Sequence, residues 1–279
     1  MPKRLSESEL KFFQREGYIP AFKVCEEEEI SVMRRELETF ESKNGGSLSG
    51  IRRLKNHLFF KWLSDFIRLP SILDPVEDII GPDILVWSVD WWIKEARTPK
   101  FVSWHQDSQY WGLDSDKLVT AWVAFSPATI QSGCMRVLPG SHLGPDLKHT
   151  ETFNSDNLLS RGQAIENIPE DKAINLEVAT GHATIFSYRI AHASHPNQTD
   201  ERRIGLAIRY VPPDARQQLA EKDSATLVRG EDRYGHFELE PTPRYDFDPV
   251  GVEFHKYAEK LRRDLLFKDA AISDPLSRL

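Results

Sequence analysis

Trp104-His105-Gln106-Asp107 sets a histidine and a carboxylate two positions apart. On an extended strand such a pair projects from one face and can share a metal ion. A lone His-x-Asp is a common surface coincidence, so its weight depends on what else the chain supplies. A second histidine-bearing segment, His192-Ala193-Ser194-His195-Pro196-Asn197, follows far downstream. Two imidazoles and one carboxylate hold a non-haem Fe(II) on one face and leave the opposite positions open. Arg202 and Arg203 come next, and Arg203 runs into the strand-like Ile204-Gly205-Leu206-Ala207-Ile208-Arg209-Tyr210. A guanidinium at that place can grip a carboxylate through two parallel hydrogen bonds.

Working outward, Phe12-Phe13-Gln14-Arg15-Glu16-Gly17-Tyr18-Ile19 near the start and Gly133-Cys134-Met135-Arg136-Val137-Leu138-Pro139-Gly140-Ser141-His142 in the middle complete an ordered series with the His-x-Asp triplet and the His-x-Ser-x-Pro-Asn segment. With these motifs the chain resembles the phytanoyl-CoA dioxygenase family of Fe(II)/2-oxoglutarate oxygenases over most of its length. That resemblance implies His105, Asp107 and His192 as iron ligands, and Arg203 with Ser194 as the grip on the distal carboxylate of 2-oxoglutarate. It also implies Trp122 beside the cosubstrate, with Gln106 matching family usage. The resemblance also prefers His192 to His195, since the family pattern places the ligand histidine before a small residue and a serine and eleven positions before the cosubstrate arginine, as His192 stands to Arg203. Strand alternation likewise puts His192 and Ser194 on one face and His195 on the other. The implied cofactors are Fe(II), 2-oxoglutarate and O2. Related halogenases carry a small residue in place of the ligand carboxylate; Asp107 is present here, which favours hydroxylation.

Size and charge fit this expectation. A chain of 279 residues can bury a sizeable core, and its formal net charge of -7 argues against an electrostatic nucleic-acid binder. The two cysteines, Cys25 and Cys134, are far apart and lack metal-type spacing, so neither a disulfide framework nor a zinc site is expected. No apolar signal core follows Met1-Pro2-Lys3-Arg4, and no run approaches membrane-spanning length. The expectation is a cytoplasmic enzyme with a small-molecule substrate and neither nucleic-acid nor membrane partners. The oligomeric state stays open.

Local patterning predicts helices over 6–17, with Ser6 and Glu9 as a capping box and Gly17 as the stop, and over 26–40, with Ile30, Met33, Leu37 and Phe40 on one stripe. A flexible connection is expected at 42–49, then helical sequence over 52–80 broken at Pro70 and Pro75. From Ile84 the composition turns to β-branched and aromatic residues, with strands expected at 84–93, 118–126, 181–187 and 204–211. A C-terminal helix is expected from Val252 through Lys268. The fold expected is mainly β with a helical buttress, a double-stranded β-helix of the jelly-roll, cupin-like kind. One domain, 1–279, would comprise a helical part about 1–80, a β-helix core about 84–212 and an extension about 213–279.

The substrate is less legible. Trp87, Trp91, Trp92, Trp104, Tyr110, Trp111 and Trp122 crowd the His-x-Asp region. They suit either a β core or a cage for an ammonium group. Tyr110 and Trp111, directly after the triplet, are the candidates for the mouth of the barrel. Arg52, Lys55 and Asn56 are candidates for an anionic end, against a plain solvated helix face. The chain is similar to the small bacterial hydroxylases of aminoethylphosphonates, including the trimethylated form. The alternatives are another small metabolite or natural-product intermediate, a catalytically silent β-helix binding domain, or a cupin-like metal protein that uses no oxo acid. Of the other histidines, His142 is expected to stabilise its turn, His182 to be structural, and His57 and His149 to lie on loops or helix surfaces.

Overall fold

Ser6 opens the first helix as its sequence predicts. Its hydroxyl accepts from the Glu9 amide at 3.3 Å, while the Glu9 carboxylate accepts from the Ser6 amide at 2.7 Å. The helix, α1 (Glu7–Glu16), closes on Gly17, whose φ of 84° is open to a residue without Cβ. The computed structural model describes residues 2–266 apart from 153, 160 and 161. After β1 (Tyr18–Lys23), α2 spans Glu27–Lys43, three residues beyond the expected end at 40, and Glu26 with Glu29 supplies its capping box in place of a serine. Helices α3 (Lys61–Phe66) and α4 (Pro70–Ile80) follow. Pro70 starts α4, but Pro75 lies inside it and does not break it, because the buried Ile72, Leu73, Val76 and Ile80 hold that face against the core.

The strands are β2 (Ile84–Lys94), β3 (Val102–His105), β4 (Val119–Ala124), β5 (Met135–Val137), β6 (His149–Glu151), β7 (Gln163–Ile165), β8 (Ile174–Leu176), β9 (His182–Ser187), β10 (His192–Ser194), β11 (Arg203–Val211), β12 (Ser224–Arg229) and β13 (Glu238–Leu239). A short helix, α5 (Ser108–Trp111), follows β3, and α6 (Pro249–Leu266) ends the described chain. The end expected at Lys268 lies outside the described residues. Seven strands pair in the order β1-β9-β4-β11-β2-β12-β13 and four in the order β3-β10-β5-β8. This is the double-stranded β-helix expected from the sequence. The larger sheet nevertheless takes β1 from before residue 84 and β12 from after 212. Among the described residues no helix is long and apolar enough to cross a membrane.

Alternation divides the larger sheet cleanly. On β11, Ile204, Leu206, Ile208 and Tyr210 join the core formed with Ile30, Leu37, Leu63, Phe66 and Val76 of the helical layer. Arg203, Gly205, Ala207 and Arg209 point the other way, toward the smaller sheet. Opposite them the pairing of β2 skips a residue: Arg209 faces Ser88, and Tyr210 faces Val86. Trp87 is therefore the extra residue of a bulge. It joins the cluster of Trp111 and Tyr188 while Val86 stays with the helical core.

In the basic segment after α2, Arg52 is exposed but Lys55, Asn56 and His57 are not on a solvated face. Lys55 is buried in an ion pair with Glu240 and donates to the Ser224 carbonyl at 2.9 Å. His57, also buried, lies 2.9 Å from Thr226 Oγ1, correcting its expected place on the surface. Burial alone would raise the Glu240 carboxyl, but Lys55 and His57 hold it down to about 2. This network ties the helical part to β12 and the following segment.

Candidate metal centre and its cavity

His105 ends β3 and His192 begins β10, and the two face each other across the antiparallel pair. Their rings lie 4.0 Å apart between centroids. Asp107 reaches the same point by a different route from the one expected. The strand stops at His105, and Asp107, at φ -61° and ψ -29°, heads α5. Two residues on one strand face do not make the site; a strand end followed by a helical turn does. Gln106, expected beside the cosubstrate, is turned away from the cavity and holds that bend. Its Nε2 donates to the Arg189 carbonyl at 2.6 Å, its Oε1 accepts from the Leu147 amide at 2.7 Å, and its own amide donates to His149 Nε2 at 3.0 Å.

The donor atoms of His105, Asp107 and His192 lie within 4.8 Å of one another, all buried. His105 Nδ1 donates to the Ser103 carbonyl at 2.9 Å and His192 Nδ1 to the Ile190 carbonyl at 3.0 Å. Each bond fixes the tautomer with Nε2 as the lone-pair nitrogen, the form a metal needs. Burial pushes both imidazoles down to about 4, and burial raises the Asp107 carboxyl, so a bound cation would offset the burial of that carboxylate. Two neutral imidazoles and a carboxylate are a donor set that fits Fe(II). His195, by contrast, is exposed and takes a hydrogen bond from Arg136 Nη1 at 2.8 Å.

The cavity beside the triad is lined by Trp92, Thr120, Trp122, Phe186, Ser194, Arg203 and Arg209, among others. Arg203 is 3% exposed, its guanidinium carbon stands 5.5 Å from the Trp122 ring centre, and its Nε has no partner. Burial lowers it to about 10. Lys94, its pairing partner on β2, donates to Ser194 Oγ at 2.7 Å and to the His195 carbonyl. Burial and the neighbouring Arg203 push Lys94 down to about 6. Lys94 was not foreseen, although its place at the end of an alternating strand could have suggested it. Trp122 lies against β11 because position 205 is glycine: a Cβ there would sit 2.0 Å from Trp122 Cζ2.

The residues expected at the substrate are elsewhere. Trp111 is 1% exposed and packs 5.0 Å from Trp87 and 5.7 Å from Tyr188. It is a core residue and not a lip of the barrel. The Tyr110 side chain lies outside the described residues. Arg52 is exposed and donates to the Asn44 carbonyl at 2.6 Å, while buried Asn56 donates to the Arg52 carbonyl at 3.1 Å. Neither they nor Lys55 line the metal cavity. The ring faces expected to cage an ammonium carry the chain's own cations: Arg53 over Trp92 at 4.1 Å, Arg262 over Trp87 at 3.9 Å and Arg209 over Trp111 at 5.5 Å.

A relative from Stutzerimonas stutzeri, named as a probable alpha-ketoglutarate-dependent hypophosphite dioxygenase, is 30% identical over 179 residues, 63% of this chain and 62% of that protein. The chain spans about three fifths of the length of the first curated relatives it matches. Among solved structures, the "non-heme monooxygenase; ThoJ apo" superposes with a TM-score of 0.81 at 32% identity, covering 92% of this chain and 96% of that one. "CytC3 with Fe(II) and alpha-ketoglutarate" gives 0.61 at 26% identity, covering 83% and 91%. The model of the phytanoyl-CoA dioxygenase family matches residues 13–205, a stretch that contains His105, Asp107, His192 and Arg203. By that match, which covers well over half of its length, the chain belongs to the phytanoyl-CoA dioxygenase family.

Proposed function

We propose that the chain is an Fe(II)- and 2-oxoglutarate-dependent hydroxylase of a small metabolite. The observation that carries this reading is the buried triad of His105, Asp107 and His192 sharing one cavity with the buried Arg203 and Ser194. Fe(II), 2-oxoglutarate and O2 together supply the oxidation: the oxo acid becomes succinate and CO2, and the second oxygen atom enters a C–H bond as hydroxyl. The chain's part is to bind, orient and exclude water. His105 and His192 present neutral lone pairs and Asp107 a charge that the cation neutralises. Arg203 offers its fork to the distal carboxylate, Trp122 backs that fork, and Lys94 orients the Ser194 hydroxyl. Met135, Phe186 and Ala207 keep the walls apolar, which strengthens these interactions.

An aminoethylphosphonate is the first substrate to test. The Stutzerimonas relative is named for another phosphorus oxyanion, which supports an anionic small molecule. The trimethylated form has less support, because arginines occupy the rings that a cage would use. Another small metabolite or natural-product intermediate is the alternative. A silent binding domain is disfavoured by the complete triad and Arg203. Aerobic incubation with Fe(II), ascorbate and 2-oxoglutarate, scored for succinate across aminophosphonates, betaines and amino acids, tests the proposal. Substrate-stimulated succinate supports it, and no succinate with any compound or none counts against it.

A further inference from the structure

Three arginines from distant parts of the chain stand on tryptophans in or beside the wall of the metal cavity, and Arg209 itself lines it: Arg53 from the segment after α2, Arg209 from β11 and Arg262 from α6. Arg209 and Arg262 are each only 6% exposed. Arg262 stands on Trp87 and Arg209 on Trp111, two rings in contact at 5.0 Å, while Arg53 covers Trp92, a lining residue of the metal cavity. Each is close enough to shift another's proton affinity. After burial, the charge of Arg262 lowers Arg53, and the charges of Arg262 and Arg53 lower Arg209.

The guanidinium donors are not all met by acceptors of the protein. Asp90 pairs with Arg209, and among the described residues no carboxylate lies within ion-pair distance of Arg53 or Arg262. Asp223 and Asp107 act on Arg262 from beyond ion-pair distance, and Asp223 accepts hydrogen bonds from Trp87 Nε1 at 2.7 Å and Gln217 Nε2 at 2.9 Å. Buried without partners are Nε of Arg53, Nε of Arg209, and Nε and Nη1 of Arg262. Buried guanidinium N–H groups without acceptors are costly, and they call for an anion. A planar carboxylate matches one guanidinium fork, whereas a tetrahedral oxyanion offers three oxygens to donors arriving from three directions.

We propose that Arg53, Arg209 and Arg262 form a receptor for the tetrahedral oxyanion end of the substrate, a phosphonate or its close analogue, and so determine specificity. The proposal rests on the hydroxylase reading for what the bound molecule then undergoes. Arg209 and Arg262 lie outside the family-matched segment 13–205, and Arg53 lies inside it.

The test uses the protein loaded anaerobically with Fe(II) and 2-oxoglutarate, titrated with methylphosphonate, acetate and choline by calorimetry. Methylphosphonate should bind at least about tenfold more tightly than acetate, the worth of one or two charge-assisted hydrogen bonds. Arg262→Met should remove that preference while the charge-transfer band of the Fe(II)–oxo acid chelate persists. Because it removes buried donors that have no acceptor, Arg262→Met should also raise the melting temperature of the anion-free protein and abolish its stabilisation by methylphosphonate. Arg53→Met should act in the same direction and serves as the second variant. Methylphosphonate binding unchanged in both variants, or a preference for choline, would overturn the receptor. Should the chelate band never form, the hydroxylase reading fails, and methylphosphonate binding to the metal-free protein then decides the receptor separately.

Discussion

Gly205→Ala is a small change with a calculable consequence. Gly205 faces the cavity between Trp92 and Ala124, and an added Cβ would lie 2.0 Å from Trp122 Cζ2, 2.5 Å from Cε2 and 2.8 Å from Cη2. Ordinary contact begins near 3.4 Å, so the ring must retreat by about 1.4 Å (3.4 less 2.0). Trp122 is 5% exposed and cannot swing into solvent. Overpacking of this kind costs about 1 to 3 kcal/mol, which lowers the melting temperature by roughly 2 to 4 °C per kcal/mol in a chain of this size. The displaced ring also leaves the Arg203 guanidinium, a contact worth about 0.5 to 2 kcal/mol, so the Kd for 2-oxoglutarate should rise roughly two- to thirtyfold. Differential scanning fluorimetry and anaerobic titration with 2-oxoglutarate read the two effects. Adding Trp122→Phe, which shortens the ring system, should recover part of the stability lost and none of the affinity that depends on the indole. If Gly205→Ala melts and binds 2-oxoglutarate like the parent, Trp122 does not buttress Arg203 as described.

Arg203→Lys keeps the charge but loses the planar fork, so the KM for 2-oxoglutarate should rise strongly in a succinate assay; an unchanged KM removes Arg203 from the cosubstrate. Glu240→Gln leaves Lys55 buried without its counter-charge and should destabilise by about 3 to 5 kcal/mol in urea unfolding, while iron binding by the folded fraction is kept. His105 and His192, held at about 4, bind fewer protons than the unfolded chain up to the free histidine value of about 6.5. The metal-free protein should therefore lose stability as pH falls through that window, and replacing both histidines with asparagine should flatten the slope. Equal slopes would show that these rings are not held neutral by burial.

What was legible in the sequence was local or anchored by paired motifs. The Ser6–Glu9 cap, the strand runs and the pairing of the His-x-Asp triplet with His192 and Arg203 each rest on short spacings that fix side-chain direction. The reading went astray where a turn or a bulge interrupts alternation. Asp107 enters from a helical turn, Gln106 is consumed by backbone groups, and the bulge at Trp87 re-aims an indole into the Trp111 cluster. Lys55 read as a substrate contact or a solvated residue, and His57 as a surface one, because their partners, Glu240 and Thr226, come from far downstream. Arg262 was invisible for the same reason, since only the packing of α6 over Trp87 brings it to the site.

The central claim is that His105, Asp107 and His192 hold Fe(II) beside Arg203-bound 2-oxoglutarate, and anaerobic co-titration of the metal-free protein with both measures it most directly. The account predicts stoichiometric iron and a visible charge-transfer band that needs both components, abolished in His192→Ala and preserved in His195→Ala. Retention of iron and band in His192→Ala with their loss in His195→Ala, or no band in the unaltered protein, would contradict it.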